Sequence, residues 1–284
     1  MSAAPDTPSP SAPSARQSVW PLPWPRALRA GRRPDWRGLV LPLAFVALWW
    51  AVTSLHLVNT RLIVPPAGVL GTALKELANP DFYLGVGLSL GRDLSGFLLG
   101  SLAGVAVGTL IGVSRLADRL LGPTFHTARQ ISLFAWLPLL SALLGTGEVS
   151  KVVFIAFSAF YPVVLGTLDG VKGVSQAHAE VARVHGFSRA QTLWRLVLPA
   201  ASPQILGGLR LGLICAWLAT IGAEFLLVND GQGLGNTVFK GRMAFNVELI
   251  VFGLLAIGLV GNAFNRLADR AEQRLLRWRA PQQR

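Results

Sequence analysis

The residues of this chain whose types and spacing could carry chemistry fall into two sets. The first is a polar stretch that reads Ala179-Glu180-Val181-Ala182-Arg183-Val184-His185-Gly186, then Phe187-Ser188-Arg189-Ala190-Gln191, and closes on Leu196-Val197-Leu198-Pro199. Gly186 is placed to end one helix, because glycine takes the left-handed C′ conformation cheaply. Ser188 followed by Gln191 is a capping-box pattern that starts another. Pro199 is expected to limit that second helix. An ordered polar unit of helix, glycine turn and helix performs no reaction itself; it suits docking of a partner. The second set is charge stranded in apolar runs: Arg92, Asp93, Arg129, Arg210 and Glu224. Such charge is costly and tends to face a cavity or a partner. Arg92 and Asp93 are expected to compensate each other near the outer interface, and Arg129 to lie at the inner headgroup level. Arg210 and Glu224 are the candidates for a pathway.

Other chemistries lack their residues. There is no Gly-Lys-Ser/Thr sequence and hence no phosphate-cradling loop. No Ser/His/Asp or paired-carboxylate arrangement is recognisable, so no catalytic residue is assigned. The four histidines (His56, His126, His178, His185) show no ligand spacing. The single cysteine, Cys215, excludes a disulfide framework or a cysteine-built metal site. No metal is expected.

The elements that must position these residues follow from composition. Of the 284 residues, 52% are hydrophobic and 14% charged, against about 25% charged in soluble domains. A net charge of +12 in a soluble protein would suggest nucleic acid. Beside long apolar runs it points to a membrane, with no nucleic-acid partner. Crossing a hydrocarbon core takes about 20 helical residues. Six runs approach or reach that length: Leu39–Leu55, Leu90–Val113, Phe125–Leu144 (which contains Pro138), Val152–Leu168, Ile205–Val228 and Val247–Leu267. Val64–Ala78, with Pro65-Pro66 at its start, reads as a short amphipathic helix. Residues 1–38 lack apolar periodicity and are rich in Pro, Ser, Ala and Arg, which predicts a disordered basic tail. Arg32-Arg33 reads as positive flanking of the first span, since no small-x-small cleavage site follows. With the N-terminus inside, 18 Lys and Arg fall on the inner side and 5 on the outer. The positive-inside rule therefore places both termini in the cytoplasm. Gly96, Gly100, Gly104, Gly108 and Gly112 recur every four residues and make a smooth ridge that lets another helix approach closely. The expected fold is all-α, about six transmembrane helices with a cytoplasmic helix-turn-helix loop at 171–200, in a membrane domain spanning 39–284.

The polar loop resembles the EAA motif of ABC importer permeases: Glu-Ala-Ala, three residues, Gly, nine residues, an aliphatic residue, any residue, Leu-Pro. Glu180, Ala182, Gly186, Leu196, Leu198 and Pro199 fall at the required spacing, with Val181 and Leu196 as mild departures. The resemblance extends over roughly residues 60–280. It includes Pro65-Pro66-Ala67, Ser89-Leu90-Gly91-Arg92 with Gly96-Phe97, Gly145-Thr146-Gly147-Glu148-Val149-Ser150-Lys151, Gly233-Leu234-Gly235 and Arg274-Leu275-Leu276-Arg277-Trp278. These look like the type I importer branch that handles aliphatic sulfonates, taurine and nitrate. The resemblance implies a non-enzymatic subunit of the bacterial inner membrane, working as a homodimer with two cytoplasmic ATPase subunits and an external solute-binding protein. It implies no cofactor on this chain, ATP and magnesium being held by the ATPases. Glu180 through Pro199 would couple to those ATPases, with Glu180 pairing to a basic residue there or to Arg183. A stand-alone secondary transporter or channel is the alternative. It would need coupling-ion sites and usually an internal repeat of spans, and neither is recognisable.

Overall fold

A computed structural model describes residues 37–55, 57–58, 63–175, 180, 182, 184–227 and 231–275. The tail expected over 1–38 lies almost wholly outside them. Every described element is a helix. Contacts divide the chain into Met1–Leu48 and Trp49–Arg284. Among described residues the first unit holds only the opening part of α1 (Arg37–Ser54). Apart from the length of α1, all that follows concerns the second.

α2 (Pro66–Leu77) starts with proline at its first turn, where the missing N–H has no partner to lose. α3 (Pro80–Val113) has 34 residues, about 51 Å of helix. It begins ten residues before the apolar run because Asn79 caps it, its side chain accepting from the amide of Asp81 at 3.0 Å. Ser114 ends α3 in extended backbone and caps α4 (Arg115–Ala128).

The span expected over 125–144 is not one helix. α4 and the pair Leu133–Trp136 (a 3₁₀ turn) and α5 (Leu137–Leu144) meet at a 95° bend. Pro138 withdraws the N–H that a continuous helix would direct at Phe134. The turn itself is closed by backbone bonds, the Gln130 amide donating to Thr127 at 3.0 Å and the Ile131 amide to Ala128 at 3.1 Å. Among the described residues four helices are long and apolar enough to span a membrane, or five with this broken pair, and Val40–Ser54 within α1 is a shorter apolar helix. α6 (Glu148–Lys172) is one of the four. α7 runs from Arg189 to Leu226 as a continuous 38-residue stretch. α8 (Leu234–Met243) and α9 (Val247–Leu275) complete the chain's described elements.

α6 packs along α3 on one side and α7 on another. The glycine ridge of α3 makes the first contact possible. A Cβ on Gly96 would stand 2.6 Å from Ile155, on Gly104 2.9 Å from Val163, on Gly108 2.7 Å from Thr167, and on Gly112 2.7 Å from Val171. The partner numbers rise with the glycine numbers, so the two helices run parallel. The α6–α7 contact is antiparallel: a Cβ on Gly166 would meet the Cα of Gly208 at 2.7 Å, and one on Gly212 the side chain of Val163 at 2.9 Å. Phe154, Ile155, Ala159, Ala216, Ala219 and Ala223 form one core with Leu137 and Leu140 of α5. Leu234, Phe252 and Ala256 centre a second, between α8 and α9. The outward faces are apolar: Leu98 and Leu102 on α3 and Leu218 on α7 are more than half exposed, as lipid-facing positions are.

Candidate functional site

The polar loop is built as its local signals require. Gly186 has φ +71°, and the amide of Phe187 donates to the carbonyl of Ala182 at 3.0 Å. That six-to-one bond with a left-handed glycine is the Schellman stop. No atom lies within 4 Å of a Cβ built on Gly186, so backbone conformation alone asks for glycine here. Ser188 then caps α7 reciprocally. Its Oγ accepts from the Gln191 amide at 3.2 Å, and Gln191 Oε1 accepts from the Ser188 amide at 2.9 Å. Glu180 is exposed, Ala182 is buried at 5%, and Leu196 and Leu198 are half-buried. Val184 and Trp194 stand 85% and 70% exposed, large apolar groups on an otherwise polar unit. The side chain of Arg183 lies outside the described residues.

Pro199 does not limit the second helix. It sits in the first turn of the α-helical part of α7, which continues to Leu226. The chain accommodates it with a π turn over Leu193–Val197, where the amide of Leu198 donates to Leu193. Proline has no N–H for the carbonyl four residues back and its ring crowds that carbonyl; the wider π turn just before it gives the ring room. The capping unit therefore joins one rod, about 57 Å long at 1.5 Å per residue.

The far end of that rod holds a buried polar cluster. Glu224 is fully buried, yet each carboxylate oxygen is satisfied. Arg92 donates to it through NH1 at 2.7 Å, the Ser89 hydroxyl at 2.7 Å and the Gly235 amide at 2.8 Å. Ser89 Oγ in turn accepts from the Leu234 amide at 3.0 Å. Arg92 NH1 also donates to the Gln232 carbonyl at 2.7 Å, while its Nε and NH2 fork onto Glu148. Lys151, itself fully buried, meets Glu148 at 3.2 Å. A Cβ on Gly233 would fall 2.6 Å from the Glu224 carboxylate, and one on Gly235 2.7 Å from its Cβ. The Gly-Leu-Gly element is thus the cover over Glu224.

Arg92 and Asp93 do not compensate each other. Consecutive helical residues point about 100° apart, so Arg92 turns to Glu224 and Glu148 while Asp93 accepts from the Thr220 hydroxyl at 2.9 Å. Arg210, on α7, pairs with Asp269 of α9 at 2.8 Å and is 45% exposed. Arg210 and Glu224 lie on one helix, fourteen residues apart in sequence, and the structure does not bring them together. Ser89, Glu148, Lys151 and Thr220 were not assigned from sequence. Ser89 lies three residues before Arg92 and Thr220 four before Glu224, on shared helix faces; that was the available signal.

A bundle of apolar helices with buried ionic ends and a polar helix-turn-helix unit defines a multi-pass membrane protein built to couple to a partner. Residues 96–278 match the family described as the binding-protein-dependent transport system inner membrane component, and the chain belongs to that family. It is 32% identical to the Bacillus subtilis (strain 168) protein named an aliphatic sulfonates transport permease, SsuC, over 87% of this chain and 90% of the relative. It is 32% identical to the taurine transport system permease protein TauC of Escherichia coli (strain K12), over 82% and 86% of the two chains. With the bicarbonate transport system permease protein CmpB of Synechococcus elongatus it shares 31% identity over 88% and 95%. A solved structure of the MetNI methionine ABC transporter, in inward-facing conformations, superposes with a TM-score of 0.52 at 18% identity, over 66% of this chain and 96% of that one; this establishes the fold. The chain is the permease of an ABC importer and not an enzyme. The family works with ATPase and solute-binding partners and with paired permeases.

Proposed function

We propose that two copies of this chain form the membrane pathway of an importer for a small oxyanion, an aliphatic sulfonate first, with taurine or nitrate next. Two ATPase subunits dock at Glu180–Pro199 on the cytoplasmic side, and a solute-binding protein delivers the solute from outside. ATP and magnesium bind on the ATPases, since this chain has no phosphate-binding loop. Both termini face the cytoplasm, a reading supported by the 18 to 5 division of Lys and Arg. The named relatives support the solute class: a sulfonate, taurine and bicarbonate each carry an oxyanion group.

One observation carries the coupling. A single helix begins in the capped docking unit at Arg189 and ends two residues beyond Glu224. Closure of the ATPases displaces the docking unit. A continuous helix transmits that displacement along its axis, and Glu224 passes it to α3 through Ser89 and Arg92 and to α6 through Glu148. The pathway switches between inward-open and outward-open as these outer helix ends move with α7. Selectivity rests mainly with the binding protein, because a deep well in the pathway would slow release.

The test is uptake into proteoliposomes holding the full complex with ATP at the ATPase face. Labelled ethanesulfonate, taurine and nitrate are compared with a neutral and a cationic heterocycle. ATP-dependent uptake of the anions or taurine supports the reading; efficient uptake of the heterocycles in their place contradicts the solute class.

A further inference from the structure

A cavity of about 490 Å³ opens where the 95° bend meets α6 and α7. Its polar lining is Arg129 and Gln130 from the bend, Tyr161 and Asp169 from α6, and Cys215 from α7; the rest is apolar side chain and the bare backbone around Gly208. Among the described residues Arg129 makes no ion pair. Its guanidinium is exposed, fixed in charge and fork-shaped. Tyr161 adds a hydroxyl to the same lining, its ring centroid 6.0 Å from that of Phe125. The one lining carboxylate, Asp169, lies eight residues beyond Tyr161, about 12 Å along α6, and close to the helix end at Lys172.

We infer that this cavity is an oxyanion subsite on the exit half of the pathway, with Arg129 as its charged anchor and Asp169 as the repelling group at its mouth. The inference rests on the oxyanion reading above. A small oxyanion entering the cavity meets a planar donor fork and a hydroxyl, both free to turn toward it. Asp169 sits between that position and the docking end, so the well stays shallow and the ion is passed on. The alternative use of Arg129, anchoring at lipid headgroups, needs no cavity and no tyrosine.

Cys215 is the chain's single cysteine and lines the same space, which makes it a reporter that needs no transport. The full complex, with partner cysteines replaced, is placed in nanodiscs. Cys215 is modified by the anionic sulfonatoethyl, the cationic trimethylammonioethyl and the neutral methyl methanethiosulfonates. The anionic-to-cationic rate ratio is expected to fall about tenfold in Arg129→Gln and to stay near wild type in Arg129→Lys, as a charge within about 10 Å of a partly hydrated site requires. Asp169→Asn should move it little, since Asp169 lies eleven residues, about 16 Å along α6, from Ser158, whose hydroxyl donates to the Cys215 carbonyl. Ethanesulfonate should slow the neutral reagent in wild type and not in Arg129→Gln. An unchanged neutral rate in each variant without ethanesulfonate shows that the cavity is intact. A ratio that Arg129→Gln leaves within twofold of wild type overturns the subsite, as does a Cys215 that no reagent reaches. Because these rates are read without uptake, a shifted ratio supports the subsite even where sulfonate import fails, and that second failure would count against the solute assignment alone.

Discussion

Replacing Glu224 and Arg92 singly and together measures the buried cluster directly. Glu224→Met removes the acceptor for the Arg92 guanidinium, the Ser89 hydroxyl and the Gly235 amide. Leaving one buried partner charged without its mate costs about 3–5 kcal/mol. Arg92 keeps its two-bond fork onto Glu148, so the cost lies toward the low end of that range, but Glu148 is half-exposed and cannot replace the buried Glu224 carboxylate. The buried arm therefore decides the result. Arg92→Met leaves Glu224 charged and buried with only the Ser89 and Gly235 donors, at a comparable cost of about 3–5 kcal/mol. The double variant strands neither charge of that pair. Its destabilisation should fall short of the sum of the singles by at least about 2 kcal/mol. Thermal unfolding of the purified complex in nanodiscs, followed by tryptophan fluorescence, reads the effect. At about 2–4 °C per kcal/mol for a chain approaching this size, each single variant should lose roughly 10 °C. Additivity within about 0.5 kcal/mol would mean that the pair is not coupled, and transmission from α7 to α3 through it would have to be abandoned.

Gly186→Val should sharply lower co-purification with the ATPase while the permease still reaches the membrane, since φ +71° is a genuine outlier for a β-branched residue; wild-type binding and uptake together would remove the turn from docking. Ser188→Ala should weaken the same unit by about 1 kcal/mol, the usual loss on removing a serine cap, visible as faster hydrogen exchange at residues 189–192. On the glycine ridge, Gly104→Leu should abolish assembly of a stable complex, because even its Cβ falls 2.9 Å from Val163. Gly91→Leu, where nothing lies within 4 Å, should assemble normally, and equal behaviour of the two would contradict the α3–α6 packing. Arg210→Ala should lower the uptake rate without changing the binding protein's ligand affinity, and Arg210→Lys should be milder. Asp269→Asn separates the roles: a loss matching Arg210→Ala assigns Arg210 to its pair with Asp269, and wild-type uptake in Asp269→Asn leaves it to the pathway.

What was legible in the sequence is what local physics decides. The docking unit needed only Gly186, Ser188 and Gln191, whose signals act over six residues, and it folded as they ask. The ridge of five glycines announced a close helix contact, and α3 meets α6 along it. Hydropathy found the long helices because burial in lipid depends on composition more than on partners. The same averaging hid the bend at 129–132, since an apolar window scores alike whether the helix continues or turns. The rule that proline stops a helix put Pro199 at a helix end, where a π turn lets the helix run through. The Glu224 cluster was least legible. Its partners Ser89 and Arg92 lie 135 and 132 residues away in sequence, so only tertiary packing brings them together. Arg92 and Asp93, read as a self-contained pair, show the error that follows from judging charges by adjacency.

The most direct test of the account uses Val184, which is 85% exposed on the docking unit. In a chain carrying Cys215→Ser and Val184→Cys, the new thiol is challenged in sealed right-side-out vesicles and then cross-linked within the assembled complex. The account predicts that a membrane-impermeant reagent leaves it unmodified until the vesicles are opened, and that a short bifunctional linker joins it to the ATPase subunit in good yield. Labelling from outside intact vesicles, or a complex that hydrolyses ATP and imports solute with no such cross-link, would contradict the claim that this loop is where the ATPases drive the permease.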